Sequence, residues 1–133
     1  MTSRHVAVLI LYDGQGRILL QHRTCDAPSF PGLWGLFGGG IEPGETPEQA
    51  VKREILEELS YQLRSVRRIT GRQFVHGGVE YTTHVFVERY DGSPLLLGEG
   101  QGMKWLSLEQ MADIEMIDHD REVVLAAAVD IFT

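Results

Sequence analysis

The chain has 133 residues, 43% of them hydrophobic and 23% charged, the composition of a folded globular chain rather than a disordered one. Nineteen acidic residues against twelve Lys and Arg give a formal net charge of -7, which argues against a nucleic-acid polymer as partner, since backbone phosphates are bound by basic surfaces. Cys25 is the only cysteine, which excludes an internal disulfide and a cysteine-rich zinc site and makes a cytoplasmic setting the expectation.

A first strand is expected near residues 4–12. Its apolar run, Val6 to Tyr12, is far too short to span a bilayer and meets the turn Asp13-Gly14-Gln15-Gly16 at once, so neither a signal segment nor a membrane association is expected. Arg17 to Arg23 reads as a second strand, forming a hairpin with the first. Residues 24–33 carry Pro28, Pro31 and Gly32 and read as a loop, and Trp34 to Phe37 is a short strand that runs into Gly38-Gly39-Gly40.

A helix begins at Pro47, with Thr46 as N-cap and Gln49 completing a capping box, and runs to about Leu59. Strands are expected around 64–76, 79–90 and 103–106, with Gly77-Gly78 as the turn between the first two. Asp118 to Phe132 reads as a closing helix whose inner side carries Val123, Val124, Ala127, Ala128 and Ile131. With no repeat or linker, the whole chain, 1–133, is expected to be one domain. Its class is α/β (α+β), an α/β/α sandwich with a mixed sheet between helices.

The helix from Pro47 carries the densest chemistry. At about 100° per residue, Val51, Ile55, Leu56 and Leu59 share one arc, and Glu54, Glu57 and Glu58 share the arc beside it. Such a patch is either a solvated acidic face or a cation site. Glu54 and Glu58 have no Lys or Arg four residues away, and like charges at these spacings each cost about 0.2–0.5 kcal/mol. A hard divalent cation, Mg²⁺ or Mn²⁺, suits a cluster of carboxylate oxygens. Gly38, Gly39 and Gly40, just before, let the backbone approach a ligand or metal closely, and Glu42 and Glu45 bring further carboxylates to the helix start.

Gly39, then Glu45 after five residues, then Arg53-Glu54-Ile55-Leu56-Glu57-Glu58 after seven more, resembles the signature of the Nudix hydrolases, position by position through Glu58. Two positions depart from it. Ser60 and Tyr61 stand where the family has Gly and an aliphatic residue, and Phe37 stands where many relatives have Pro. A left-handed Ser at the helix exit is strained by about 1 kcal/mol.

The resemblance implies a metal-dependent hydrolase of phosphoanhydrides. Glu54, Glu57, Glu58 and the Gly38 carbonyl would bind Mg²⁺ or Mn²⁺, and Glu45 would pair with Arg53 to hold the loop against the helix. The segment Gly98-Glu99-Gly100-Gln101-Gly102 looks like the loop of the MutT branch whose glutamate assists metal binding and catalysis. Either Glu54 or Glu99 would then be the general base, and Glu99 is otherwise an exposed loop acid. Arg23 is a candidate phosphate contact or a surface arginine. Gly38, Gly39, Gly40 and Asp118 are candidates on the substrate side, Asp118 either reading a base or capping its helix. Phe74, Tyr81 and Phe86 are core residues or base-stacking rings. Cys25, Trp34 and Trp105 read as structural, and His22 and His76 lack ligand spacing. The expected substrate is a small nucleotide, foremost a nucleoside triphosphate, oxidised ones included, cut to monophosphate and pyrophosphate. ADP-ribose, nucleotide sugars or dinucleoside polyphosphates form the second reading, and a non-catalytic nucleotide sensor the third. A monomer and a homodimer are both compatible with it.

Overall fold

A computed structural model describes residues 2–132. Its strands are β1 (Thr2–Tyr12), β2 (Arg17–His22), β3 (Trp34–Gly35), β4 (Phe37–Gly40), β5 (Arg67–His76), β6 (Val79–Arg89) and β7 (Gly102–Ser107). The helices are α1 (Pro47–Leu59), α2 (Leu108–Met111) and α3 (Asp118–Ile131). None of the described helices is long and apolar enough to cross a membrane.

The seven strands form one mixed sheet. β1 lies parallel to β6 over its full length, Thr2 opposite Val79 through Tyr12 opposite Arg89. The expected β1–β2 hairpin closes only at its turn, where Tyr12 pairs with Ile18. Beyond that the two strands splay, and residues 34–40 fill the wedge. β3 pairs with β2 at Gln21 and His22, the chain steps across at Leu36, and β4 then pairs with β1 from Leu9 back to Val6. The single short strand expected at Trp34 to Phe37 is therefore two, and the glycine triplet is strand rather than loop. At Gly38 the crossing requires glycine, because φ is 146° and a Cβ would lie 2.1 Å from the Ala7 carbonyl oxygen.

Period-two alternation sorts β1 between two layers of core. Ala7, Leu9 and Leu11 join Phe86, Val51, Ile55 and Leu59 beneath α1. Val8 and Ile10 join Val85, Val87, Val123 and Val124 beneath α3. This is the expected sheet between helices.

The ends of α1 agree with the sequence. Thr46 and Gln49 form the capping box, Pro47 opens the first turn, and Ser60 ends the helix in the left-handed region at φ 52°. The start of α3 differs, since Ile117 is its N-cap and contributes no side-chain bond. Asp118 is the first helical residue and not a cap. A capping box between Ser107 and Gln110 starts the short α2, which periodicity over four residues is too brief to reveal.

Candidate active site

Thr46 and Pro47 fix where α1 begins, and the register that follows turns Glu54 and Glu58 towards β4. Glu58 is 2% exposed, and its Oε1 accepts the Gly38 N–H at 2.9 Å. The Glu54 side chain is 15% exposed and packs on Gly39, where an added Cβ would lie 2.5 Å from its carboxyl carbon. The glycines thus leave the volume that these two carboxylates fill. Glu57 behaves differently: its side chain is 57% exposed, with Oε2 3.6 Å from Arg53.

Arg53 organises the surrounding loop. Its Nε and Nη2 donate to the two Glu45 oxygens at 2.7 and 2.9 Å, Nη1 donates to Glu54 at 2.8 Å, and Nη2 also reaches the Gly40 carbonyl at 3.0 Å. The guanidinium holds the Glu45 carboxyl down to about 2, and is itself pushed further towards the charged form by Glu45 and then Glu54. Glu54 therefore has a basic partner that the i,i+4 rule does not count, its chain neighbour.

The loop before β7 is tied to the end of α1. Leu96 and Gly98 donate their N–H groups to the carbonyls of Leu59 and Glu58, at 2.9 and 2.7 Å, which brings Glu99 to the same carboxylates. Burial, then the charges of Glu54 and Glu99, push the Glu58 carboxyl up to about 9. Burial likewise raises Glu54; Arg53 pulls the other way, while Glu57 and Glu99 raise it further. Among the described residues no three of these side chains are already grouped around one point as a ligand set. The chemistry of the donors nevertheless fits a hard cation: all are oxygens, and two of the carboxyls are held above their ordinary value by burial and by the charges of neighbouring carboxylates.

From these acids a cleft of about 340 Å³ runs to an aromatic end. Arg23 lines it near Glu99, its guanidinium held by the carbonyl (2.8 Å) and hydroxyl (3.3 Å) of Ser29. Gly38, Gly39 and Gly40 form one wall. At the far end, Phe74 stacks on Tyr81 (4.8 Å between ring centres, planes within 10°) and on His119 (4.1 Å, 22°). Asp118 lines a neighbouring groove instead, together with His76 and Glu122. Phe86 is buried on the opposite face, beneath α1. His22 stacks on Trp34 at 4.5 Å and His76 on Phe30 at 4.4 Å. Cys25 is exposed.

Sequence reasoning did not single out Phe30 or Thr83 as cleft residues; at the start of α3 it pointed to the run Asp118-His119-Asp120, of which His119 and Asp120 line the cleft. Thr83 had a legible signal, because it is the polar member of the inward series Tyr81, Thr83, Val85 on β6. Phe30 had none: it sits in an irregular loop, with an uncommon left-handed φ of 49°.

A family model described as NUDIX domain matches residues 1–127. Over 63 residues the chain is 49% identical to the nucleoside triphosphatase NudI of Enterobacter sp. (strain 638), covering 47% of this chain and 44% of that protein. The match thus spans less than half of that curated relative. Among solved structures, the MutT protein from Methanosarcina mazei Go1 superposes with a TM-score of 0.84 at 21% identity, over 97% of this chain and 94% of that one. The NUDIX domain of Shewanella oneidensis NrtR, solved with ADP ribose, gives 0.83 at 19% identity, over 98% and 89%. Both of these likenesses concern the fold.

Proposed function

Since the chain belongs to the NUDIX domain family, we propose that it is a divalent-metal-dependent pyrophosphohydrolase that cuts a nucleoside triphosphate to its monophosphate and pyrophosphate. The observation that carries this reading is the cluster of Glu54, Glu58 and Glu99 against the glycine strand β4, at one end of a cleft whose other end is aromatic. A nucleotide has the same two ends, an anionic chain and a planar base. An acidic site admits the anionic end only with cations between, and Glu54, Glu57, Glu58 and Glu99, with the Gly38 carbonyl, would hold Mg²⁺ or Mn²⁺ there. The ion, when bound, offsets phosphate charge and acidifies a water ligand.

The rest of the chemistry belongs to the chain's own groups. The Gly38 N–H fixes one oxygen of Glu58, and Arg53 fixes one oxygen of Glu54 while clamping Glu45 over the helix start. Those bonds hold the acids in place before substrate arrives, and most of the rate in phosphoryl chemistry comes from such positioning and charge stabilisation. Arg23 contacts the phosphate chain at the cleft wall. The proton of the attacking water goes to Glu54 or Glu99, both facing the same space. The NudI resemblance supports a triphosphate substrate; its printed name is nucleoside triphosphatase.

The test is a panel of nucleoside triphosphates, ADP-ribose, nucleotide sugars and dinucleoside polyphosphates, with Mg²⁺ or Mn²⁺, scored for monophosphate, phosphate and pyrophosphate. Pyrophosphate from a triphosphate is the expected product. Glu54→Gln and Glu99→Gln should each lower kcat at least about 100-fold, and the general base is the one whose variant loses the acidic limb of the pH–rate profile. Near-normal turnover by Glu54→Gln would refute the assignment.

A further inference from the structure

At the aromatic end of the cleft, two polar atoms are buried without a hydrogen-bond partner: the Thr83 hydroxyl oxygen and His119 Nε2. Thr83 is 1% exposed and His119 7%, and both side chains line the cleft. A buried polar atom left unpaired costs roughly 1–3 kcal/mol, so two lining one cleft, with every other buried side-chain N or O among the described residues partnered, point to a ligand.

The polarity of one is fixed by its neighbours. Asp120 accepts the Leu36 N–H on Oδ2 at 3.0 Å, and its Oδ1 lies 3.4 Å from His119 Nδ1. An ionised carboxylate only accepts, so in the neutral imidazole Nδ1 carries the proton and Nε2 is left as the acceptor. Thr83 contributes a hydroxyl that is free to donate. Together they offer an acceptor and a donor, the complement of an N–H beside a carbonyl or ring nitrogen. Every common nucleobase has such an edge, and a bare sugar phosphate has none.

The rings around these atoms are already stacked on one another, with no gap between them for a guest. Phe74 stacks on both Tyr81 and His119, and it is carried by β5, which among the described residues is an edge strand paired with β6. We propose that Thr83 and His119 read the edge of the substrate's base, and that the Phe74 ring covers them until the base enters the stack. This inference rests on the nucleotide reading above and assigns the residues that recognise the base.

It is tested by binding, without turnover. Nucleoside 5′-monophosphates and ribose 5-phosphate are titrated into the full chain in EDTA, and amide and aromatic NMR shifts are followed. At least one nucleotide should bind about tenfold more tightly than ribose 5-phosphate, with shifts at Phe74, Tyr81 and Thr83. Thr83→Val, which removes an unpaired hydroxyl and should melt no lower than the native chain, should cut that advantage to about threefold or less. Methylating the base edge, as in 3-methyluridine or 1-methylguanosine monophosphate against its parent, should do the same to the unmodified protein. Equal binding of ribose 5-phosphate and all nucleotides overturns the inference, as does a Thr83→Val protein that keeps the full advantage. If base-dependent binding is found but no triphosphate is hydrolysed, the proposed activity fails and the base site stands.

Discussion

Replacing Glu58 with Gln should stabilise the metal-free chain at alkaline pH, although it alters the most buried acid of the site. The Glu58 carboxyl titrates near 9 when folded and near its ordinary 4.5 when unfolded. An acid raised in this way binds its proton more tightly in the folded chain. Its contribution is complete below about 4.5 and is lost as pH rises towards about 9. Each pH unit inside that window changes stability by at most about 1.4 kcal/mol, so from about pH 6 to pH 8.5 the native chain should lose up to about 3 kcal/mol that Glu58→Gln keeps. Gln preserves the acceptor for the Gly38 N–H, so the swap isolates charge from hydrogen bonding. Urea unfolding of both proteins in EDTA at the two pH values measures the difference. Taking the difference between the proteins also cancels titrations common to both, such as that of His84, which burial lowers. Millimolar Mg²⁺ should flatten the native profile, because a cation replaces the proton. Parallel pH profiles for the two proteins in EDTA would refute the reasoning.

Arg53→Lys keeps the charge but not the fork that spans Glu45, Glu54 and Gly40; it should cost on the order of 2 kcal/mol in chemical denaturation and lower kcat at least tenfold. Gly38→Ala places a Cβ 2.1 Å from the Ala7 oxygen and should cost about 3 kcal/mol or more, read as a fall in Tm. Gly39→Ala meets first the end of the Glu54 side chain, so it should lower turnover more than about tenfold while Tm moves by only a few degrees. Ser60→Gly relieves the left-handed helix exit and should stabilise by about 1 kcal/mol, a rise in Tm of about 3 °C by calorimetry.

Local rules read α1 well because everything that defines it is local. Thr46, Pro47 and Gln49 cap it, Val51, Ile55 and Leu59 face the core, and Ser60 ends it in the strained geometry expected there. The acidic patch was legible for the same reason, though only its direction. Periodicity puts Glu54, Glu57 and Glu58 on one arc; contact with β4 then separates Glu58, buried on the Gly38 N–H, from Glu57, which stays in water. The splaying of β1 from β2 was not legible. A hairpin signal specifies the turn, and it says nothing of a later segment entering between the strands, as β3 and β4 do. The aromatic end of the cleft draws on α3, β5, β6 and the loop after β2, so no window of sequence contains it.

Glu99 shows how one such long-range placement is made. By sequence alone it sits in a glycine loop with no element to aim it. The last turn of any helix has carbonyls without partners inside the helix, and in α1 those of Glu58 and Leu59 are answered by the N–H groups of Gly98 and Leu96. Gly98 approaches so closely that a Cβ would lie 2.7 Å from the Glu57 carbonyl oxygen, so glycine at 98 secures contact rather than freedom. The helix that orients Glu54 and Glu58 therefore also docks the loop carrying Glu99, and all three acids share one rigid reference. A substitution at Gly98 should thus act like one at Glu99, and Gly98→Ala should lower turnover with Glu99 intact. An activity that survived Gly98→Ala unchanged would mean that the loop acid is positioned by something other than the helix end.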